Sequence, residues 1–576
     1  MKRRHTTRRL IGLLRPFYAG ILIAVLFGAL TVLASVGLMA TSAWLISRSA
    51  LRPSVADLGV SIVGVRFFGI ARGVFRYLER LAAHDTTFRL LAHLRVQFYA
   101  ALEPLAPARL SAHRSGDLLS RVVNDVETLE NVFLRGVAPF VVAGITGIAT
   151  TILFAAFDPL AALLLVGFML VGGIGLPLWA LRAGAQPGTE RVAANAALNA
   201  TLVDGIQGMA DLVANGAARA QLAQLDALSE RFTAAERHYA LLDSLQMAFG
   251  VALAQGAALA VLIVAIPRVE GIYLATLTLA TLAAFEAITP LATAAAQFSR
   301  DLAAADRLFE VADQPPAVTD PANPAPLPAR ADLYLDGVRL QYTPDGPPAL
   351  DGLTLSVPAG ARVAIVGASG AGKSSILNVL LRFWDYQDGK ITVGGTDLRA
   401  LALEDARRLF AVMPQRPYLF NTTLRENIRI AYPEATDSDV EAAVRAAQAT
   451  DFIAALPDGY ETLIGENGAK LSAGQAGRVA LARALLRPAP ILILDEATAN
   501  LDPVTERAIL ETVYAAAGGR TLIALTHRLA LLDQMDMIYV MDGGRIVQAG
   551  HHTELIRIAG PYARLVEAQP LETFTP

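Results

Sequence analysis

Six apolar stretches dominate the first half of the chain, near residues 17–47, 54–78, 137–157, 160–181, 245–266 and 271–291. Each is long enough to cross the roughly 30 Å hydrocarbon core of a bilayer as a helix. Short connections follow the first, third and fifth: Arg48 to Pro53, Asp158-Pro159, and Pro267 to Gly271. Long polar stretches, about 79–136 and 182–244, follow the second and fourth. They are rich in Ala, Leu, Arg and Glu at helical spacing, so they predict extensions of the membrane helices. Turn signals at Ser115-Gly116-Asp117 and Asn215-Gly216 mark where a short transverse contact helix is expected nearby.

The pattern changes abruptly after residue 312. Prolines at 315, 316, 321, 324, 326 and 328 make 313–330 a semi-rigid linker, since such a segment packs as neither helix nor sheet. From 331 to 576 apolar strands alternate with helical patterns, which predicts a soluble α/β domain. Gly543-Gly544, between Tyr539-Val540-Met541 and Ile546-Val547, predicts a hairpin. The expected organisation is a membrane α-helical bundle over 1–312, the linker, and an α/β domain over 331–576.

Composition sharpens this picture. A hydrophobic fraction of 54% and a mean hydropathy of +0.44 exceed those of ordinary soluble proteins and point to the membrane. A net charge of −3 suggests no nucleic-acid partner. The chain has no Cys, which excludes disulfides and thiolate chemistry of its own, and its eight His residues show no metal-ligand spacing. Basic residues Lys2, Arg3, Arg4, Arg8, Arg9 and Arg15 precede the first apolar run without a small-residue cleavage site. They predict a retained first span and a cytoplasmic N-terminus, outweighing Arg48 and Arg52 in the first outer loop.

The chemistry is concentrated in the second half. Gly367-Ala368-Ser369-Gly370-Ala371-Gly372-Lys373-Ser374 has the spacing G-x-x-x-x-G-K-S of a P-loop. A predicted strand, Arg362 to Val366, precedes it, and a helix opening with Ser375 follows. The glycines let backbone N–H groups wrap a phosphate chain. Lys373 is expected on the β- and γ-phosphates of ATP, and the Ser374 hydroxyl on Mg²⁺. A second strand, Ile491 to Leu494, ends in Asp495 and Glu496. Asp495 is placed to bind the metal, and Glu496 to orient or deprotonate the attacking water.

Leu471-Ser472-Ala473-Gly474-Gln475 then resembles the signature motif of ABC transporter ATPases, usually LSGGQ, and opens a predicted helix. The resemblance assigns further residues. Tyr342 is similar to the adenine-stacking aromatic, Gln415 to the Q-loop glutamine on the metal, Asp502 in Asn500-Leu501-Asp502 to the D-loop, and His527 to the switch histidine. It implies that the signature closes over nucleotide on a partner's P-loop, so the chain works as one half of a dimer. Ala473 departs from the family's glycine, leaving Ser472 and Gly474 to make that contact. Six spans with two long extensions resemble the exporter-type ABC fold.

The second apolar stretch carries unusual charge. Arg66, Arg76, Arg80 and His84 fall within an arc of about 80° on a helix, with Arg72 further round. An arginine at mid-bilayer costs roughly 2.5–3.5 kcal/mol, so this face is expected to line a wet, positive cavity or, at its lower end, to reach the headgroups. Glu286 in the sixth stretch is a candidate counter-charge for one of these arginines or for an amino group. From Ser42-Ala43-Trp44 to His84-Asp85 the sequence resembles the CydC subunits of heterodimeric CydDC exporters. That resemblance implies a CydD-like second half-transporter and a place in the inner membrane. It also implies export of small anionic thiol reductants, cysteine and glutathione, from cytoplasm to periplasm for cytochrome bd assembly. It further implies haem as a ligand or a cargo, with His84 at the position of a histidine implicated in binding it. A lipid or drug exporter of the same fold, and an ATP-gated channel or regulator, are the alternatives; the arginines argue against the first, and Glu496 with His527 against the second.

Overall fold

The computed structural model describes residues 2–112, 118, 121–496, 503–528 and 532–568. The chain divides into two units: residues 1–104 with 113–314, and residues 105–112 with 315–576.

Helices make up the first unit. Six among the described residues are long and apolar enough to span a membrane: Arg15–Ser49, Val55–Leu105, Val132–Ala155, Pro159–Gly184, Ala218–Ala265 and Gly271–Ala312. Their apolar cores match the six stretches read from the sequence, and the polar stretches continue them. The second span runs as one helix, Val55–Leu102, started by a capping box between Ser54 and Asp57. The fourth continues through Gln207, and the fifth begins well before its apolar part, at Ala218. Between these two lies a short helix, Met209–Ala214, next to the Asn215-Gly216 turn. The other turn signal, Ser115-Gly116-Asp117, lies outside the described residues.

Small residues set how closely the spans approach. A Cβ added to Gly37 in the first span would come within 2.7 Å of the Phe68 ring in the second. Several threonine hydroxyls inside the spans donate back to carbonyls one turn earlier, as Thr281 does to Leu277 at 2.8 Å, whereas the buried Thr276 hydroxyl has no partner among the described residues. The last span is discontinuous. Its helix Gly271–Ala284 passes into a 3₁₀ turn, Phe285–Ala287, and restarts at Leu291 after Pro290.

In the second unit, 315–330 carries neither helix nor strand. Ala325 donates to the Ala400 carbonyl at 2.8 Å, and the Asp320 carboxylate accepts from the Leu403 N–H at 2.6 Å. The strands are β1 (Leu333–Leu340), β2 (Leu350–Val357), β3 (Arg362–Val366), β4 (Asp388–Val393), β5 (Thr396–Asp397), β6 (Phe410–Met413), β7 (Ile491–Asp495), β8 (Thr521–Thr526), β9 (Met537–Asp542) and β10 (Arg545–Gly550). They form an antiparallel sheet ordered β2-β1-β4-β5 and a larger sheet ordered β10-β9-β3-β8-β7-β6. In the larger sheet β9, β3, β8, β7 and β6 are parallel, and β10 turns back on β9 through Gly543-Gly544, both at positive φ. Successive side chains of β3 enter different cores. Val363 and Ile365 join one cluster, Ala364 and Val366 the other, so this strand is covered on both faces.

Candidate functional site

The P-loop leaves the carboxyl end of β3, where a parallel sheet presents its crevice. Gly370 and Gly372 take φ of +83° and +106°. At Gly372 a Cβ would stand 2.4 Å from the Ala349 carbonyl oxygen, so only glycine fits before the helix Lys373–Leu380. Lys373 is buried, its Nζ donating to the carbonyls of Gly367 at 2.8 Å and Ala368 at 3.0 Å. Those are bonds that phosphate oxygens can replace. Burial lowers the Lys373 ammonium pKa, opposed by the charges of Glu496 and Asp495. Tyr342 lies beside the loop: its hydroxyl stands 2.9 Å from Ser375 Oγ and accepts from Asn378 at 2.8 Å, while its ring meets Trp384 edge-on.

The order β3-β8-β7 brings the two acids to the same end of the sheet. Asp495 is buried, its Oδ1 has no hydrogen-bond partner, and Ser374 hydrogen-bonds its carboxylate. Burial raises the Asp495 carboxyl above its ordinary range, partly offset by that hydrogen bond. Glu496 holds φ at +48°, a left-handed conformation strained for a residue with a side chain. Its carboxylate gathers three of the residues singled out from the sequence. Gln415 Nε2 donates to Oε2, His527 Nδ1 stands 3.1 Å from Oε1, and Lys373 Nζ lies 3.9 Å from Oε1. A carboxylate held between an imidazole, an amide and an ammonium beside a phosphate-binding loop can accept a proton from water.

The signature stands apart from this cluster. Ser472 caps the helix Ala473–Leu486 in a capping box with Gln475, its N–H donating to Gln475 Oε1 at 2.9 Å. Ser472 and Ala473 are exposed, and Leu471 and Gly474 are half-buried. Among the described residues no hydrogen bond or ion pair joins this motif to Lys373, Asp495 or Glu496. Asp502 lies outside the described residues.

In the first unit the charged face of the second span is divided. Arg72 and Arg76 both pair with Glu286, at 3.1 and 3.0 Å, and Ser35 Oγ donates to the same carboxylate at 2.8 Å. Glu286 therefore serves two arginines, and Arg72, set aside by the helical arc, is one of them. Its i, i+4 spacing from Arg76 was the available signal; Ser35 had none. Arg66, Arg80 and His84 are exposed. His84 stacks on Phe88 with ring centroids 6.1 Å apart, and Glu79 lies within electrostatic reach of Arg80, Arg76 and His84.

Comparison with known proteins agrees with this arrangement. The family model described as "ABC transporter" matches residues 350–499, and that described as "ABC transporter transmembrane region" matches 16–303. The chain belongs to the ABC transporter family. It is 35% identical to the Escherichia coli (strain K12) "Glutathione/L-cysteine transport system ATP-binding/permease protein CydC", covering 94% of this chain and 96% of the relative. The corresponding CydD of Bacillus subtilis is 31% identical, covering 94% and 95%. The "ATP-dependent lipid A-core flippase" of Chromohalobacter salexigens is also 31% identical, covering 98% and 97%. Among solved structures, a bacterial Atm1-family ABC exporter with ATP bound superposes with a TM-score of 0.85 at 27% identity, covering 97% of this chain and 99% of that one.

This ABC exporter is a multi-pass membrane protein that couples ATP hydrolysis to transport. Its residues fit a magnesium ion: the orphaned, buried Oδ1 of Asp495 and the adjacent Ser374 hydroxyl are the hard oxygen donors that Mg²⁺ takes. When bound with ATP, the ion supplies charge neutralisation at the phosphates.

Proposed function

We propose that this chain is the CydC-like half of a heterodimeric exporter in the inner membrane. It moves small anionic thiol reductants, cysteine and glutathione, from cytoplasm to periplasm, and through them supports cytochrome bd assembly. Its N-terminus and ATPase unit face the cytoplasm. The observation that carries the cargo reading is the Arg72–Glu286–Arg76 cluster inside two apolar spans, on a chain similar over 94% of its length to CydC. A lipid flippase has no need of this charge between apolar spans, which costs several kcal/mol in hydrocarbon unless it is used.

In this reading Lys373 and the loop N–H groups hold the phosphates, Tyr342 stacks on adenine, and Ser374, Gln415 and Asp495 hold the metal. Glu496 takes the proton of the attacking water, and His527, bonded to Glu496, senses the γ-phosphate. Leu471–Gln475 closes on the partner's P-loop. Haem is a second ligand on a different observation: exposed His84 offers one axial nitrogen, Phe88 a stacking ring, and Arg80, one turn earlier, a cation for a propionate.

Co-expression with a CydD-like partner, followed by ATP-dependent uptake of labelled cysteine and glutathione into inside-out vesicles, tests the reading. Uptake with both chains and none with either alone is expected. A fully active homodimer sinks the heterodimer, and transport of lipid with no thiol uptake sinks the cargo.

A further inference from the structure

The Arg72–Glu286–Arg76 cluster is built in a way that specifies part of its ligand. Both guanidiniums reach Glu286 through Nη2, Arg72 at 3.1 and 3.4 Å to its two oxygens and Arg76 at 3.0 Å to one. Each Nη2 carries a second N–H, which together with the unbonded Nε or Nη1 leaves one fork suited to a bidentate carboxylate on each arginine. The side chains are accessible: 32% exposed at Arg72, 52% at Arg76 and 31% at Glu286. Glu79 lies within electrostatic reach of Arg76 and Arg80, so Glu286 and Glu79 together face Arg72, Arg76 and Arg80, and the group keeps one net positive charge. Counted from the short-loop ends of their helices at 1.5 Å per residue, Ser35, Arg72 and Glu286 lie roughly 20–25 Å in and Arg76 roughly 32 Å, at the far edge of a roughly 30 Å core, so the cost falls chiefly on Arg72. Glu286 itself sits in the 3₁₀ turn that interrupts the last span, where the regular helix no longer fixes its backbone.

We propose that this cluster binds the α-ammonium-carboxylate head that free cysteine and the γ-glutamyl end of glutathione share. The proposal rests on the thiol-cargo reading and deepens it. The ligand carboxylate takes the open forks of Arg72 and Arg76. The ligand ammonium takes Glu286, with Ser35 keeping its bond to the same carboxylate. Every charge then has a partner, and Glu286 holds the arginines in place until the head arrives. A ligand with an anion but no ammonium fills the forks and leaves Glu286 facing like charge. The head, rather than the thiol, is therefore the common element through which one site accepts two cargoes of different size.

Competition against labelled cysteine uptake in inside-out vesicles of the heterodimer tests this without any variant. S-methylcysteine, which keeps the head and blocks the thiol, is expected to compete like cysteine. N-acetylcysteine, which lacks the ammonium, and cysteamine, which lacks the carboxylate, are expected to compete at least roughly tenfold more weakly. In Glu286→Gln the preference for cysteine over N-acetylcysteine should collapse; in Arg76→Gln the preference for cysteine over cysteamine should collapse. If N-acetylcysteine and cysteamine compete as well as cysteine in the wild type, the head is not read and the proposal falls while thiol transport stands. Poor competition by S-methylcysteine would move recognition to the thiol and equally overturn it. If the vesicles take up neither cysteine nor glutathione, the cargo reading fails and the proposal fails with it.

Discussion

Replacing Glu496 with Gln removes one charge and keeps the shape and the positions that meet Gln415 and His527. If Glu496 accepts the proton of the attacking water, the substitution should slow hydrolysis at this chain's own P-loop by about 10²- to 10⁴-fold. That corresponds to roughly 2.7–5.5 kcal/mol in the barrier. Nucleotide binding should respond in the opposite sense. The Glu496 carboxylate lies 3.9 Å from the Lys373 ammonium, and both side chains are largely buried, at 15% and 5% exposed. An attraction of about 4 kcal/mol at an effective dielectric of 20 bounds what the ligand-free site loses. With ATP present that same carboxylate faces phosphate oxygens, so its neutralisation leaves affinity equal or higher. The assay is single-turnover phosphate release together with equilibrium ATP binding, in a heterodimer whose partner site has been inactivated. Near-normal turnover would show that another group activates the water. Loss of ATP binding would show instead that Glu496 serves to position Lys373.

Asp495→Asn should abolish magnesium-dependent turnover yet raise the melting temperature of the nucleotide-free protein, because burial disfavours the charged carboxylate that the amide replaces; a lower melting point would refute the desolvation argument. Tyr562 is fully buried, with its hydroxyl 2.7 Å from His552 Nδ1, and burial with the Asp533 charge raises its pKa from 10.0 to about 12. Folding stability should therefore be intact below pH 10 and fall by up to about 2–3 kcal/mol as pH rises to about 12. Tyr562→Phe should flatten that fall, and an unchanged alkaline melting profile would count against it. Arg66→Gln should weaken the stimulation of ATPase by thiol cargo, and His84→Ala should remove a haem absorbance band while thiol uptake persists; if neither changes any ligand response, that exposed face only marks the membrane edge. Ala473→Gly should tighten ATP at the partner's P-loop, and weaker binding there would assign the methyl a favourable contact.

The readings that held on sequence alone are those written in contiguous residues. Six apolar runs had to become helices, because hydrocarbon offers backbone N–H and C=O groups no partner outside the helix. The P-loop was legible from spacing, since its glycines and following helix specify a local backbone path whatever surrounds it. Gly543-Gly544 likewise announced its hairpin, both residues taking the positive φ that a two-residue turn demands. A helix behind the signature was expected too, but the Ser472–Gln475 capping box that starts it at Ala473 was seen only in the structure.

Which of these pieces meet was decided by packing. Gln415 and Glu496, 81 residues apart, touch because parallel pairing sets β6 beside β7; His527 follows β8, the next strand over. A helical arc grouped Arg76 with Arg66, Arg80 and His84, yet Arg76 shares Glu286 with Arg72, across 210 and 214 residues of chain. Helical periodicity says which residues share a face, but not which neighbour that face meets. That choice came from the close approach of the first and second spans at Gly37 and from the break at Phe285–Ala287, which sets Glu286 where two arginines and Ser35 converge. Charge pairing at such distances is a property of the tertiary fold, because its energy depends on separations that no local pattern encodes.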